Sequence, residues 1–177
     1  MKKTIITPAV FFLLLSCNEA STGKTGNSGK EEIKTNATTA QASVITDKHV
    51  KIPNSHLYII PPAGFVVNEV ASKLGKGEDY AHFGMMKIFS GYTPEKYFTE
   101  LKAQADKDFP GSWKQEDIIA DGHKATIYLY KNAGVLQHYL AFTDGYTDEM
   151  IIANFIESEA ATGKAMYEAL KTVVKEK

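Results

Sequence analysis

The most constraining feature of this chain is a series of short apolar segments in its second half, separated by turn-forming residues. Four such segments cover residues 117–120, 124–130, 135–142 and 149–156. The connections between them contain Asp121-Gly122, Asn132-Ala133-Gly134 and Asp144-Gly145. Short Asp/Asn/Gly connections between extended segments are typical of β-hairpins. The sequence therefore predicts an antiparallel meander of four strands.

Three further extended segments precede the meander, at residues 56–60, 65–70 and 80–89. Pro61 and Pro62 end the first of them, because a proline ring removes the donor that a strand ladder needs. Gly75-Lys76-Gly77 is predicted as a surface loop. Together with the meander, these segments predict an antiparallel sheet of about six to seven strands.

Two helices are predicted beside this sheet. The first begins at Thr93-Pro94-Glu95, which supplies a hydroxyl cap, a proline and an acid, and it continues to about Phe109. The second covers residues 162–174, where apolar residues recur at helical spacing. Both faces of residues 135–142 carry apolar side chains, so the sheet is expected to be covered on both sides. The predicted fold is α+β, an antiparallel sheet with helices on both faces.

The N-terminus has the pattern of a secretory signal. Met1-Lys2-Lys3 is basic, and residues 5–15 are apolar apart from Thr7 and Pro8. This apolar run is too short to cross a bilayer, which takes about 20 helical residues. We therefore expect a cleaved segment at residues 1–16.

Leu14-Leu15-Ser16-Cys17 closes this segment and resembles the lipobox of bacterial lipoproteins. The resemblance implies that Cys17 is lipidated and becomes the first residue of the mature protein. Two or more acyl chains would anchor the protein stably in a membrane. The residue after the cysteine is Asn18 rather than Asp, which favours the outer membrane over the inner one. The alternative is an ordinary signal peptide with Cys17 near its cleavage point by chance.

Residues 17–47 are predicted to be the lipidated cysteine and a flexible linker, because small polar residues dominate and large apolar ones are scarce. Residues 48–177 then form one globular domain.

The predicted domain resembles PsbP-like α/β/α domains over roughly residues 55–177. The resemblance is carried by the order of strands and helices, by Gly-Tyr-Thr-Pro-Glu at 91–95 and by Asp-Gly-His-Lys-Ala at 121–125. It implies a binding or assembly role through partners and no fixed activity. Fold analogy is a weak argument for function.

The charge composition argues against nucleic acid as a partner. The chain has 20 basic and 21 acidic residues, with a net charge of −1, and all of its basic residues are lysines. Nucleic-acid binding is dominated by phosphate neutralisation, for which this balance supplies no global field. Mechanisms that depend on arginine are excluded as well.

The sequence contains no recognisable catalytic motif, whether of a zinc peptidase, a nucleophile elbow or a phosphate-binding loop. His56, His82, His123 and His138 lie on or beside predicted strands, without the spacing of a metal site. His123 is expected at an exposed hairpin end, and His82 and His138 as hydrogen-bonded sheet residues. We predict no metal and no cofactor.

Aromatic density is the strongest binding signal in the domain. Tyr128 and Tyr130 share a strand face, and cross-strand pairing is expected to bring Tyr139 or His138 near them. Trp113 begins a strand beside a loop. Rigid aromatic rings are good binding anchors, so these five residues are the candidate ligand or partner contacts. The competing interpretation is that they pack beneath a helix.

These observations favour a non-enzymatic, lipid-anchored module of the cell envelope that holds a protein partner or a small ligand. The alternative is an envelope hydrolase or transferase whose site uses His138, Tyr128 and Glu149. A third interpretation is a structural envelope protein without a ligand.

Overall fold

The computed structural model describes residues 44–77 and 80–177 of the 177-residue chain. The predicted signal segment, Cys17 and the linker up to residue 43 lie outside the described residues.

The main sheet is fully antiparallel. Its strands are β3 (Val66–Asn68), β4 (Lys73–Gly75), β5 (His82–Lys87), β6 (Lys114–Ala120), β7 (His123–Asn132), β8 (Val135–Phe142) and β9 (Glu149–Ile156). They are arranged in the order β3-β4-β5-β9-β8-β7-β6, so the predicted meander β6 to β9 is confirmed as four successive neighbours. Strands β8 and β9 match their predicted bounds, whereas β6 begins earlier than expected and β7 extends further at both ends.

Turn chemistry explains the meander. The β6–β7 hairpin turns through Asp121 and Gly122, with φ of 50° and 79°, and the β7–β8 hairpin through Ala133 and Gly134, with φ of 47° and 86°. Two successive residues with positive φ match the right-handed twist of the flanking strands. Glycine adopts this conformation without steric cost, which is why it occupies the second position of both turns.

A second, smaller sheet contains β1 (Val50–Lys51), β2 (Leu57–Ile59) and β10 (Val174–Lys175), in the order β1-β2-β10. The sequence analysis predicted only β2 of these three. The prediction of a helix up to residue 174 is wrong, because the chain leaves the helix after Leu170 and Val174 pairs with Tyr58 of β2. Thr172, Val173 and Val174 are β-branched, which favours the extended conformation.

The helices are α1 (Pro94–Asp108) and α2 (Ala160–Leu170), and a 3₁₀ turn (Glu157–Glu159) precedes α2. The predicted cap of α1 is confirmed, since the hydroxyl of Thr93 accepts a hydrogen bond from the backbone N–H of Lys96 at 3.3 Å. Pro94 occupies the first turn, where a backbone N–H would have no acceptor within the helix, so its absence costs no hydrogen bond.

Each face of the main sheet carries one helix. Phe98 of α1 packs with Tyr128 and Tyr139 on one face, and Met166 of α2 packs with Leu140 on the other. The small sheet contributes Ile52, Leu57 and Ile59 to the core on the α2 side. The α+β class and an antiparallel sheet of six to seven strands are confirmed. The prediction was wrong to place residues 56–60 in that sheet, because β2 pairs in the small sheet and the unpredicted β4 lies in the main one. The helices also cover less of the two faces than predicted.

Candidate functional site

The tyrosines selected from the sequence come together beneath α1. In the β7–β8 register Tyr128 lies directly opposite Tyr139, so Tyr139, and not His138, is the cross-strand neighbour. Phe98 stacks on Tyr128, with ring centroids 3.7 Å apart and an interplanar angle of 15°, and lies 5.4 Å from Tyr139. Tyr130 belongs to the same buried cluster. These tyrosines hold α1 on the sheet, as the competing interpretation of the sequence proposed.

Trp113 packs at the edge of this cluster. Its ring centroid lies 5.8 Å from that of Tyr128 and 6.3 Å from that of Tyr130. The indole Nε1 is buried and has no hydrogen-bond partner among the described residues. Packing with the tyrosines therefore accounts for the position of Trp113.

His138 lies on the opposite face of the sheet, beneath α2. Its ring makes edge contacts with Phe155 at 4.9 Å and with Tyr167 at 5.7 Å. The expectation of a hydrogen-bonded sheet histidine is wrong for Nδ1, which is buried without a partner in the described part of the chain. Burial lowers the pKa of His138 from its usual 6.5 to about 4, because the apolar surroundings disfavour the charged ring.

The residues of the alternative enzymatic site do not converge. Tyr128 faces α1, whereas His138 and Glu149 lie on the α2 side. Along the sheet, Glu149 is four residues from the cross-strand partner of His138, which corresponds to about 13 Å. The carboxylate of Glu149 is 2% exposed and accepts hydrogen bonds from the backbone N–H and Nδ1 of His56, both at 2.8 Å. It therefore fixes the start of β2 against β9.

His123 is partly exposed at the β6–β7 hairpin, as predicted, but it belongs to a polar corner. Its Nδ1 is 2.9 Å from Asp144, and its ring stacks on Tyr146 with centroids 3.6 Å apart. The hydroxyl of Tyr146 donates to buried Asp121 at 2.6 Å. Burial and this hydrogen bond raise the pKa of Tyr146 to about 12. The corner joins the two hairpin ends of the meander to β10, whose Lys175 N–H also donates to Asp121.

A hydrogen-bonded chain crosses three strands on the α1 side of the sheet. The Tyr139 hydroxyl donates to Gln137 at 3.1 Å, and the Gln137 amide donates to Asn154 at 2.8 Å. His82 Nδ1 is 2.6 Å from the Tyr80 carbonyl, which can only accept, so His82 Nε2 accepts from the Asn154 amide at 3.3 Å. His82 is thus a hydrogen-bonded sheet histidine, as predicted.

The structure contains a groove of about 620 Å³ that the sequence analysis did not predict. Glu95 of α1 forms one wall, and Gln115 and Asp117 of β6 with Thr126 and Tyr128 of β7 form the floor. A volume of this size is typical of small-molecule sites. A smaller pocket of about 140 Å³ shares Glu95, Gln115 and Tyr128 with the groove, so the concave surface continues along α1.

The β6–β7 register determines which polar residues lie opposite each other along this groove. Lys124 pairs with Ile119 at one end, Thr126 with Asp117 in the middle and Tyr128 with Gln115 at the other end. The Thr126 hydroxyl donates to Asp117 Oδ1 at 2.7 Å and fixes that carboxylate.

The charges of the groove are not neutralised by their neighbours. Within residues 44–77 and 80–177, neither Glu95, Asp117 nor Lys124 has an ion-pair partner. Burial raises the pKa of Tyr128, a hydrogen bond with Thr126 opposes this shift, and the nearby negative charges of Glu95 and Asp117 add to it. The groove can therefore offer charged hydrogen-bonding groups of both signs to a ligand.

Sequence reasoning missed this groove because its residues are distant in the chain. The available signals were the acid in Thr93-Pro94-Glu95 and the alternation of Gln115, Asp117 and Ile119. Neither signal indicates that α1 packs beside β6.

Comparison with the models of known protein families, with curated proteins and with solved structures gave no match. No helix in the described part of the chain is long and apolar enough to cross a membrane. Within the same residues, no group of three or more His, Cys, Asp or Glu side chains is placed to hold a metal ion.

Proposed function

We propose that this chain is a lipid-anchored binding module of the bacterial cell envelope, and that the groove beside α1 is its binding site. The groove is the observation that carries the binding role. It combines a cavity of ligand size with charged groups that have no ion-pair partner among the described residues, and with a floor that β6 and β7 hold in register. Such a preorganised concave surface lowers the cost of ordering the site on binding.

The anchor is the second part of the proposal, and the sequence supports it. Leu14-Leu15-Ser16-Cys17 resembles a lipobox, and the linker that follows has the composition of a flexible tether. Asn18 favours the outer membrane, on its periplasmic side or at the surface. The protein would work beside the membrane while its domain explores the space allowed by the tether.

The fold resemblance is consistent with this role. An antiparallel sheet with α1 on one face and α2 on the other supports the proposal of a PsbP-like α/β/α domain, in which function is exerted through a bound partner or ligand. The proposed module performs no chemistry of its own.

Site-specific photocrosslinking in living cells tests the binding role. A photoreactive amino acid at Ile119, which lines the groove and is 61% exposed, should capture one reproducible envelope component. The same group at Val70, which is fully exposed and lies outside the groove, is the matched control. Equal capture at both positions, or none at Ile119, would contradict the groove as the binding site.

A further inference from the structure

The charges along the groove have a definite order, which restricts the ligand. Lys124 stands at one end of the β7 floor, Asp117 lies opposite Thr126 in the middle, and Glu95 lines the wall near Tyr128. The order along the groove is therefore one positive charge followed by two negative charges. The next cation, Lys102 of the adjoining smaller pocket, is already paired with Asp106.

The spacing of these charges follows from strand geometry. Thr126 is two residues from Lys124 and Tyr128 is four residues from it, which corresponds to about 7 Å and about 13 Å along the strand. A single small ion cannot span such a distance. A linear molecule with opposite charges at its two ends can pair with both parts of the groove.

The hydrogen-bonding capacity agrees with this charge pattern. Asp117 Oδ1 already accepts from Thr126, whereas Oδ2 has no hydrogen bond among the described residues. The Glu95 carboxylate likewise accepts no hydrogen bond in that part of the chain. An ammonium group has three donors and no acceptor, so it matches the unused acceptors of these two carboxylates.

We propose that the groove binds a linear zwitterion whose ammonium group lies between Asp117 and Glu95 and whose carboxylate lies against Lys124. An ω-amino acid or a short peptide with free termini has this chemistry. The inference rests on the proposed function, because it names the class of ligand for the same groove.

The test is a titration of the purified full-length protein with 6-aminohexanoate, followed by isothermal calorimetry and by amide chemical shifts. Hexanoate and hexylamine are the comparison probes, since each has the same chain length and only one of the charges. We expect saturable binding of 6-aminohexanoate with shifts confined to β6, β7 and the start of α1, and weaker binding of both comparison probes. Hexylamine binding as tightly as 6-aminohexanoate would overturn the role of Lys124, and the absence of saturable binding would overturn the proposal.

Charge-removing variants locate the two ends of the ligand. Asp117→Asn, Glu95→Gln and Lys124→Gln should each weaken binding about tenfold, the cost of losing a hydrogen bond to a charged group. Glu100→Gln on α1 and Lys164→Gln on α2 remove the same charges outside the groove and should leave binding unchanged. Equal weakening by these controls would show that net charge alone attracts the probe.

Comparing two probes distinguishes an ω-amino acid from a short peptide as the preferred ligand. If 6-aminohexanoate and a short peptide such as trialanine both bind, the ratio of their affinities identifies which zwitterion the groove prefers. If neither binds while Ile119 still captures an envelope component, the zwitterion inference fails and the proposed function stands.

Discussion

At the scale of single residues, two buried positions at the contact between α2 and the main sheet are the most informative. His138 is 7% exposed, and its Nδ1 has no partner among the described residues, so its neutral form is the one that the folded protein tolerates. Gly163 lies where α2 crosses Phe155, and an added Cβ would overlap the ring. We expect His138 to make the stability of the fold sensitive to pH, and Gly163 to set the distance between α2 and the sheet.

We predict that His138 destabilises the domain in acid. Its pKa is about 4 in the folded protein and 6.5 without burial, so the unfolded chain binds more protons between these values and stability falls as the pH decreases through this window. The loss between pH 7 and pH 4 should be about 3 kcal/mol. Urea unfolding across this range should show a shallower pH dependence for His138→Phe than for the original protein. Parallel pH profiles would contradict the assignment.

We predict that Gly163→Ala destabilises the domain by about 1–3 kcal/mol, because its new methyl group forces α2 away from Phe155. Helix propensity alone predicts the opposite sign, a gain of about 1 kcal/mol. The free energy of unfolding of Gly163→Ala, measured by thermal or chemical denaturation, distinguishes the expected loss from the gain that helix propensity predicts. In a Phe155→Leu background the penalty should shrink, and a penalty of unchanged size would show that the ring is not its cause.

At the scale of elements, α1 is the piece on which the groove depends. It supplies Glu95 to the wall, and Phe98, about one turn further along the helix, packs on Tyr128 and Tyr139 of the sheet. The position of the wall therefore depends on the start of α1 and on the packing of Phe98. A change that frays the first turn should disturb the groove before it unfolds the domain.

Removing the cap of α1 tests this dependence. Thr93→Ala deletes the hydroxyl that accepts from Lys96 and should cost about 1 kcal/mol, whereas Thr93→Ser should retain most of the stability. Hydrogen exchange should show faster exchange at the start of α1 and unchanged exchange in α2. Uniform acceleration in both helices would mean that α1 does not open locally.

The elements also show what a sequence can predict. The meander was predictable because each of its turns is encoded locally by residues such as Gly122 and Gly134. Strand β4 has only three residues and was missed because its last residue, buried Gly75, was wrongly predicted as part of a surface loop. Strand β10 has only two residues and was missed because its partner β2 lies far away in the chain, with Val174 opposite Tyr58. Such strands exist through tertiary pairing rather than through local preference.

The contrast between locally encoded and tertiary contacts also applies to the candidate site. The clustering of Tyr128 with Tyr139 needed only the choice of a register, which the Asn132-Ala133-Gly134 turn decided. Predicting the groove would have required the docking of α1 beside β6, which places Glu95 and Asp117 in the same groove although they are 22 positions apart in the chain. No periodicity within either segment encodes that contact.

At the scale of the whole molecule, the proposal joins a tether to a binding domain. We propose that lipidation of Cys17 determines where the domain works and that the groove determines which ligand it binds. A soluble domain with the same groove would have to find its ligand by free diffusion, whereas an anchored one stays at the membrane. The two parts can be removed independently.

We predict that Cys17→Ala moves the full-length protein from the detergent-rich to the aqueous phase of a detergent extraction, because the acyl chains supply the anchoring energy. Ser16→Ala, which keeps the sulfur and a small residue before it, is the control and should remain in the detergent phase. If the original protein and Cys17→Ala partition alike, the anchor is not at this cysteine.

The most direct measurement for the central claim is the intact mass of the mature protein purified from the cells that naturally produce it. The account predicts a chain that begins at Cys17 and carries a diacylglyceryl group on its sulfur. A mature chain that begins at another residue, or one with an unmodified Cys17, would contradict it.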